Sequence, residues 1–105
     1  MENNSKVFIS VGMSGRDEKD VRNDIMRISN RIIGLGFDGI TIIHNYDCVR
    51  PADCENNHLW YLGEAIKQLG ECDVCYFCKG WENHRGCLVE FEVCKLYDIE
   101  IIFER

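Results

Sequence analysis

Four short apolar runs alternate along the chain with longer segments in which apolar and polar residues follow a helical period. The apolar runs are rich in β-branched residues and lie at Lys6–Val11, Gly39–His44, Val74–Cys78 and Ile99–Phe103. Because each run is continuously apolar rather than alternating, it fits a strand that is covered on both faces, as in a parallel sheet.

The segments between the runs predict three amphipathic helices. Apolar residues recur at steps of three and four from Val21 to Leu35, and two glycines close this first helix. A second helix is predicted over His58–Gly70 with the same spacing, and a third runs to about Tyr97. The order β-α-β-α-β-α-β predicts a single α/β domain with three layers and four or more parallel strands.

Three polar loops follow the carboxyl ends of the first three predicted strands. They are Gly12–Gly15, Asn45–Asn57 and Gly80–Gly86. The carboxyl ends of parallel strands meet at one rim, which is the usual ligand crevice of such a sheet, so we expect a pocket there. The middle loop is long, and its length is compatible with either a lid or a plain flexible connection.

Charge and composition exclude some classes of partner. The chain has 12 Lys and Arg against 18 Asp and Glu, a formal net charge of -6, and no basic run that would hold a nucleic-acid duplex. No apolar stretch approaches the roughly 20 residues that span a bilayer. The amino terminus does not have the shape of a signal peptide. We therefore expect a soluble cytoplasmic protein with no membrane or nucleic-acid partner.

Seven cysteines give an odd and rather high count, and three of them have a spacing typical of metal sites. Cys72, Cys75 and Cys78 read C-x2-C-x2-C. Residues three apart in a strand point to opposite faces, so these thiols would not converge on one ion. We predict no metal and no cofactor, with Cys75 and Cys78 in the core and Cys48 and Cys54 as the more reactive thiols.

Glu90 lies just after the third polar loop, at the predicted start of the third helix. A carboxylate beside the crevice is a candidate for chemistry. An acidic residue in a first helical turn also complements the helix dipole without any functional role.

Two stretches resemble the nucleoside 2-deoxyribosyltransferase-like superfamily. The opening K-V-F-I-S-V-G-M-S-G resembles the Y-I-S-G-P-M-S-G type start of that superfamily. The stretch from Cys72 to Glu90 resembles a small single-domain branch that reads C-D-x-V, then G-W-x-x-S-x-G-A, then a helix Glu. The resemblance extends over the whole chain.

The resemblance implies a flavodoxin-like (Rossmann-like) fold of four or five parallel strands and an N-glycosidic chemistry. The helix Glu of such enzymes attacks C1′ of a (deoxy)ribose and displaces the base, and water or a second base resolves the glycosyl-enzyme. The nucleophile falls on Glu90, the substrate is a nucleoside or nucleotide, and homo-oligomers are common. The substrate-binding residues that it implies are Gly12, Met13, Ser14, Gly15, Gly80, Trp81, Asn83, Arg85 and Gly86.

Two departures from the family pattern concern the acid that would protonate the leaving base. Where relatives carry an acid on the second helix this chain has Ala65, with Glu64 beside it. Where they carry Asp or Ser before the nucleophile it has His84, which is either an acid or a solvent-facing residue. We expect an enzyme with His84 or Glu64 as the acid. A binding module that has lost catalysis and a small redox or metal protein are the alternatives.

Overall fold

A computed structural model describes all 105 residues. Its sheet has four strands, β1 (Lys6–Ser10), β2 (Thr41–Ile43), β3 (Val74–Phe77) and β4 (Glu100–Phe103). They lie in the order β2-β1-β3-β4, and every neighbouring pair is parallel. The predicted α/β class and parallel sheet are confirmed, and the arrangement is that of a flavodoxin-like domain with four strands.

Three helices connect the strands: α1 (Glu18–Gly34), α2 (Asn57–Leu69) and α3 (Arg85–Leu96). A short 3-10 turn over Trp81–Asn83 precedes α3 and begins after Gly80, whose φ of 87° lies in the left-handed region. None of the three helices has the length and apolar composition of a segment that crosses a bilayer.

The core has two halves, one on each face of the sheet. On one face, α1 packs its buried residues against alternate positions of β1 and β3, such as Val7, Ile9 and Val74. On the other face, α2 and α3 cover the intervening positions, which include Phe8 and Phe77. This alternation is the period of two expected for strands buried on both sides.

The helical spacing overstated how much of each apolar stripe is buried. On α1, Val21, Ile25, Ile28 and Ile32 are buried as predicted, but Leu35 lies beyond the helix end and is 55% exposed. Leu59, the first apolar residue of the stripe along the predicted second helix, is 62% exposed at the first turn of α2.

The cysteines behave mainly as small apolar residues. Cys75 and Cys78 are buried in different halves of the core, as the strand geometry predicts. Cys48 and Cys54 are partly exposed in the loop between β2 and α2. No group of three or more His, Cys, Asp or Glu side chains has a geometry that could hold a metal ion.

Candidate active site

A cleft of about 1110 Å³ opens at the carboxyl ends of the strands, where the sequence predicts a pocket. All three polar loops contribute to it. The residues that line it include Gly12, Met13, Ser14, Glu18, Arg22, Asn45, Tyr46, Arg50, His58, Ala65, His84, Arg85, Gly86, Cys87 and Glu90.

Glu90 lines the cleft from α3 and is 6% exposed. It shares the inward face of that helix with Cys87 and Cys94, three residues before it and four after it. Glu90 is the sixth residue of α3 and lies beyond the first turn. Its burial and its position therefore exclude the interpretation that it is only a solvent-facing complement to the helix dipole.

Ser10 provides the one hydrogen bond that the protein makes to the Glu90 carboxyl. The Ser10 hydroxyl donates to Oε1 of Glu90 at 2.6 Å, and Ser10 itself is 1% exposed. Sequence reasoning missed Ser10, although it is the single polar residue in the middle of an apolar run. Its alternation with Ile9 places it on the α3 side of the sheet.

Burial raises the pKa of Glu90 to about 7, and the hydrogen bond from Ser10 partly opposes that rise. Removing a carboxylate from water disfavours its charged form, and here no cation is close enough to restore it. Carboxylate and carboxylic acid are therefore both populated near neutral pH. A strongly perturbed carboxyl in a cleft is typical of a functional site.

His84 lies in the same cleft, at the start of α3. Its ring packs directly against Gly12 in the loop after β1, and a Cβ atom at Gly12 would overlap the ring. The two loops that carry Gly12 and His84 therefore fit together only because residue 12 has no side chain.

Positive side chains surround the mouth of the cleft, although the chain as a whole is acidic. Arg22 pairs with Glu18 at 3.0 Å and with Asp47 at 2.8 Å, and its guanidinium lies over the ring of Tyr46. Arg50 and Arg85 also line the cleft and form no ion pair, and Arg50 donates to the carbonyl oxygen of Pro51 at 3.4 Å. No carboxylate of the protein therefore neutralises these two guanidinium groups.

The long loop between β2 and α2 is fastened at both ends. The buried side chain of Asn45 donates to the carbonyl oxygen of Tyr61 at 3.1 Å. The Asn56 side chain caps α2 by accepting from the backbone N–H of Leu59. Together with the Arg22–Asp47 pair, these contacts hold the loop over one side of the cleft.

A network of ion pairs ties the first and third polar loops to each other through α1. Arg16 donates to the carbonyl oxygen of Gly12 and pairs with Asp24, and Asp24 also pairs with Arg27. Arg27 binds the carboxylate of Glu104, which also accepts the backbone N–H of Lys79 at 2.9 Å.

The Arg27 guanidinium holds the pKa of Glu104 at about 2, well below its usual range, against the opposing effect of burial. Hydrogen bonds from the Lys79 backbone and from Cys78 lower it further. Glu104 is therefore a charged residue at neutral pH whose partners lie on α1 and on the chain just before the third polar loop.

Five of the predicted site residues are not brought to the cleft. Glu64 is not part of the lining of the cleft and pairs with Lys67 at 3.3 Å. Trp81 packs its ring against Phe91 and Phe103, with centroid distances of 4.8 and 5.5 Å, so its role in the structure is packing. Gly15, Gly80 and Asn83 also lie outside the lining of the cleft.

Seven of the predicted residues do line it: Gly12, Met13, Ser14, His84, Arg85, Gly86 and Glu90. The lining residues that sequence reasoning did not single out include Cys87, Asn45, His58 and the cationic Arg22 and Arg50. Comparison with known proteins identifies no family for the chain. No protein-family model matches the chain, and no curated protein matches it significantly.

Proposed function

We propose that this protein is an enzyme that breaks the N-glycosidic bond of a nucleoside or nucleotide, with Glu90 as the nucleophile. The observation that carries the proposal is a buried carboxyl in the cleft with only one of its oxygens engaged by the protein. The resemblance to nucleoside 2-deoxyribosyltransferases supports the same role for Glu90.

The proposed reaction has two steps. In the first, a Glu90 oxygen forms a bond to C1′ of the sugar while the bond from C1′ to the base nitrogen breaks. The electron pair stays on that nitrogen, which takes a proton from His84 as the general acid. In the second step, water or another base attacks C1′ and gives a proton back to His84. The electron pair of the bond between C1′ and Glu90 returns to the Glu90 carboxylate.

The electrostatics of the cleft support this use of Glu90. A pKa of about 7 leaves a substantial share of the carboxylate form at neutral pH. The same burial that raises the pKa keeps the carboxylate poorly hydrated, so less water must be removed when it meets a sugar carbon with positive character. His84 replaces Glu64 as the acid in this proposal because His84 lines the cleft and Glu64 does not.

The unpaired Arg50 and Arg85 favour a substrate that carries an anionic group over a neutral one. A nucleoside 5′-monophosphate has such a group. Within this proposal the protein acts as a soluble cytoplasmic enzyme. The exposed Leu96 and Tyr97, at the end of α3, offer a surface for a second copy, and light scattering measures the assembly directly.

A binding module without catalysis is the second candidate, and Ala65 is the observation that favours it. Ala65 is buried in the wall of the cleft at the place where the resemblance implies an acid. The cleft contains a single further carboxylate, Glu18, and this one pairs with Arg22. Such a module would bind a nucleotide in the same cleft and release no base.

Chromatography of base release distinguishes the two candidates. The protein is incubated with a panel of nucleosides and 5′-monophosphates, each with and without a second free base. Glu90→Ala tests the nucleophile, and Glu92→Ala is the matched control, since Glu92 is on the same helix but exposed and paired with Lys95.

Base released by the native protein and by Glu92→Ala but not by Glu90→Ala is the result expected. Exchange with the second base identifies a transferase, and release without exchange identifies a hydrolase. Thermal stabilisation by one compound with no release from any of them contradicts the enzyme and supports the binding module.

A further inference from the structure

The two oxygens of the Glu90 carboxyl have different surroundings. Oε1 accepts the Ser10 hydroxyl at 2.6 Å, in a buried contact that joins residues 80 positions apart in the chain. Oε2 accepts no hydrogen bond from the protein, yet it is not sealed from solvent. Since Glu90 lines the cleft, Oε2 is the oxygen that a bound molecule reaches.

A serine at position 10 destabilises the fold unless its hydroxyl has a hydrogen-bond partner. The side chain is enclosed between apolar neighbours of β1, where a hydroxyl without a partner is destabilising. Its hydroxyl has one proton to donate, and Oε1 of Glu90 accepts it at 2.6 Å, while the thiol of Cys87 is a second acceptor within its reach. A length of 2.6 Å falls in the range of hydrogen bonds between a hydroxyl and an ionised carboxylate.

We infer that Ser10 is the positioning residue of the site, whose hydroxyl fixes Oε1 of Glu90 and thereby presents Oε2 to the substrate. The inference rests on the proposed function, because it names Oε2 as the atom that attacks C1′. It adds to that proposal a role for Ser10, which lies in the opening motif but is not among the site residues that the resemblance implies. A donated hydrogen bond also favours the carboxylate over the acid, so Ser10 keeps the nucleophile in its reactive form.

Carboxyl 13C NMR of protein labelled at glutamate tests the inference without any substrate. The Glu90 resonance is assigned by its loss in Glu90→Gln and is then titrated in the native protein and in Ser10→Ala. We expect its pKa to rise by about one unit or more in Ser10→Ala, the size expected when a charged group loses a hydrogen bond.

Ser5→Ala is the matched control. Ser5 is buried immediately before β1, and its hydroxyl accepts the backbone N–H of Glu2 at 3.0 Å, at the opposite end of the strand from Glu90. We expect Ser5→Ala to leave the Glu90 titration unchanged. If Ser10→Ala does not fold, Ser10→Cys, which keeps the size but donates only weakly, is titrated in its place.

An unchanged Glu90 pKa in the Ser10 variant overturns the inference and leaves Ser10 as a packing residue. With a substrate that the native protein cleaves, kcat/KM of Ser10→Ala falls about tenfold or more at pH 7, and the acidic limb of its pH profile moves upward by the same interval as the NMR titration. If the native protein cleaves nothing, the proposed function fails, whereas the NMR titration still decides what Ser10 does to Glu90.

Discussion

Replacing Glu90 with glutamine removes a titrating group from the cleft and keeps the size of its side chain. The carboxyl of Glu90 is 6% exposed and has a pKa of about 7, against an ordinary value of 4.5. Its folded-state pKa is therefore above its unfolded-state pKa. Protonated Glu90 is compatible with the fold, and ionised Glu90 opposes it. The contribution of Glu90 to the stability of the native protein should fall as the pH rises from about 4.5 to 7.

The magnitude follows from the difference between the two pKa values. Each pKa unit corresponds to about 1.4 kcal/mol, so ionised Glu90 destabilises the fold by about 3 kcal/mol once the pH exceeds 7. The neutral amide of Glu90→Gln avoids this effect and still offers an oxygen to Ser10. We expect the variant to be more stable than the native protein by about 3 kcal/mol at pH 8.5 and equal to it near pH 4.5.

Urea unfolding followed by circular dichroism at a series of pH values measures this difference. Contributions of other titrating groups cancel when the native protein and Glu90→Gln are compared at each pH. Glu92→Gln, on the exposed side of the same helix, controls for the loss of any negative charge. If the stability difference between the native protein and Glu90→Gln is the same at every pH from about 4.5 to 8.5, burial does not raise the pKa of Glu90.

Two further predictions concern the contacts that hold the polar loops. Glu104→Gln should lower stability by about 3 kcal/mol at pH 7, because ion pairing with Arg27 holds the Glu104 pKa at about 2. The stabilisation by ionised Glu104 is complete above about pH 4.5 and is lost as the pH falls toward about 2. Urea unfolding over this pH range and at pH 7 measures the loss. Gly12→Ala should displace the His84 ring and reduce any base release about tenfold or more. Gly34→Ala is the control, because a Cβ added there meets no other atom; it should retain the activity and gain up to about 1 kcal/mol of stability. The chromatographic assay measures the activity of both variants, and urea unfolding measures their stability.

The fold could be predicted because its signals are local. Continuous apolar runs predicted the β1 and β3 strands to within one residue, and steps of three and four predicted the buried face of α1. Errors came at helix ends, as at Leu59, where an apolar residue of the periodic stripe reaches the cleft instead of the core. Periodicity identifies a face but does not tell where the neighbouring layer stops covering it.

The site was predictable in outline, because parallel strands bring their loops to one rim. Glu90 could have been recognised as buried from its spacing to Cys87 and Cys94, and Ser10 from its isolation among apolar residues of β1. The packing of Trp81 against Phe103 could not have been predicted from the sequence, since it depends on how α3 and β4 meet in three dimensions. Its position in a motif suggested a contact with substrate, whereas its ring lies outside the lining of the cleft.

If Glu90 forms a covalent bond to the sugar, as we propose, a substrate that reacts slowly should trap that bond. The protein is incubated with the 2′-fluoro analogue of a nucleoside or nucleotide that it cleaves. Fluorine at C2′ destabilises positive charge at C1′ and so slows the release of the sugar from the enzyme. Intact mass and peptide mapping should then show one sugar attached at Glu90 and none in Glu90→Gln. Release of base from the parent compound, with no adduct on the native protein or with an adduct at another residue, would contradict the account.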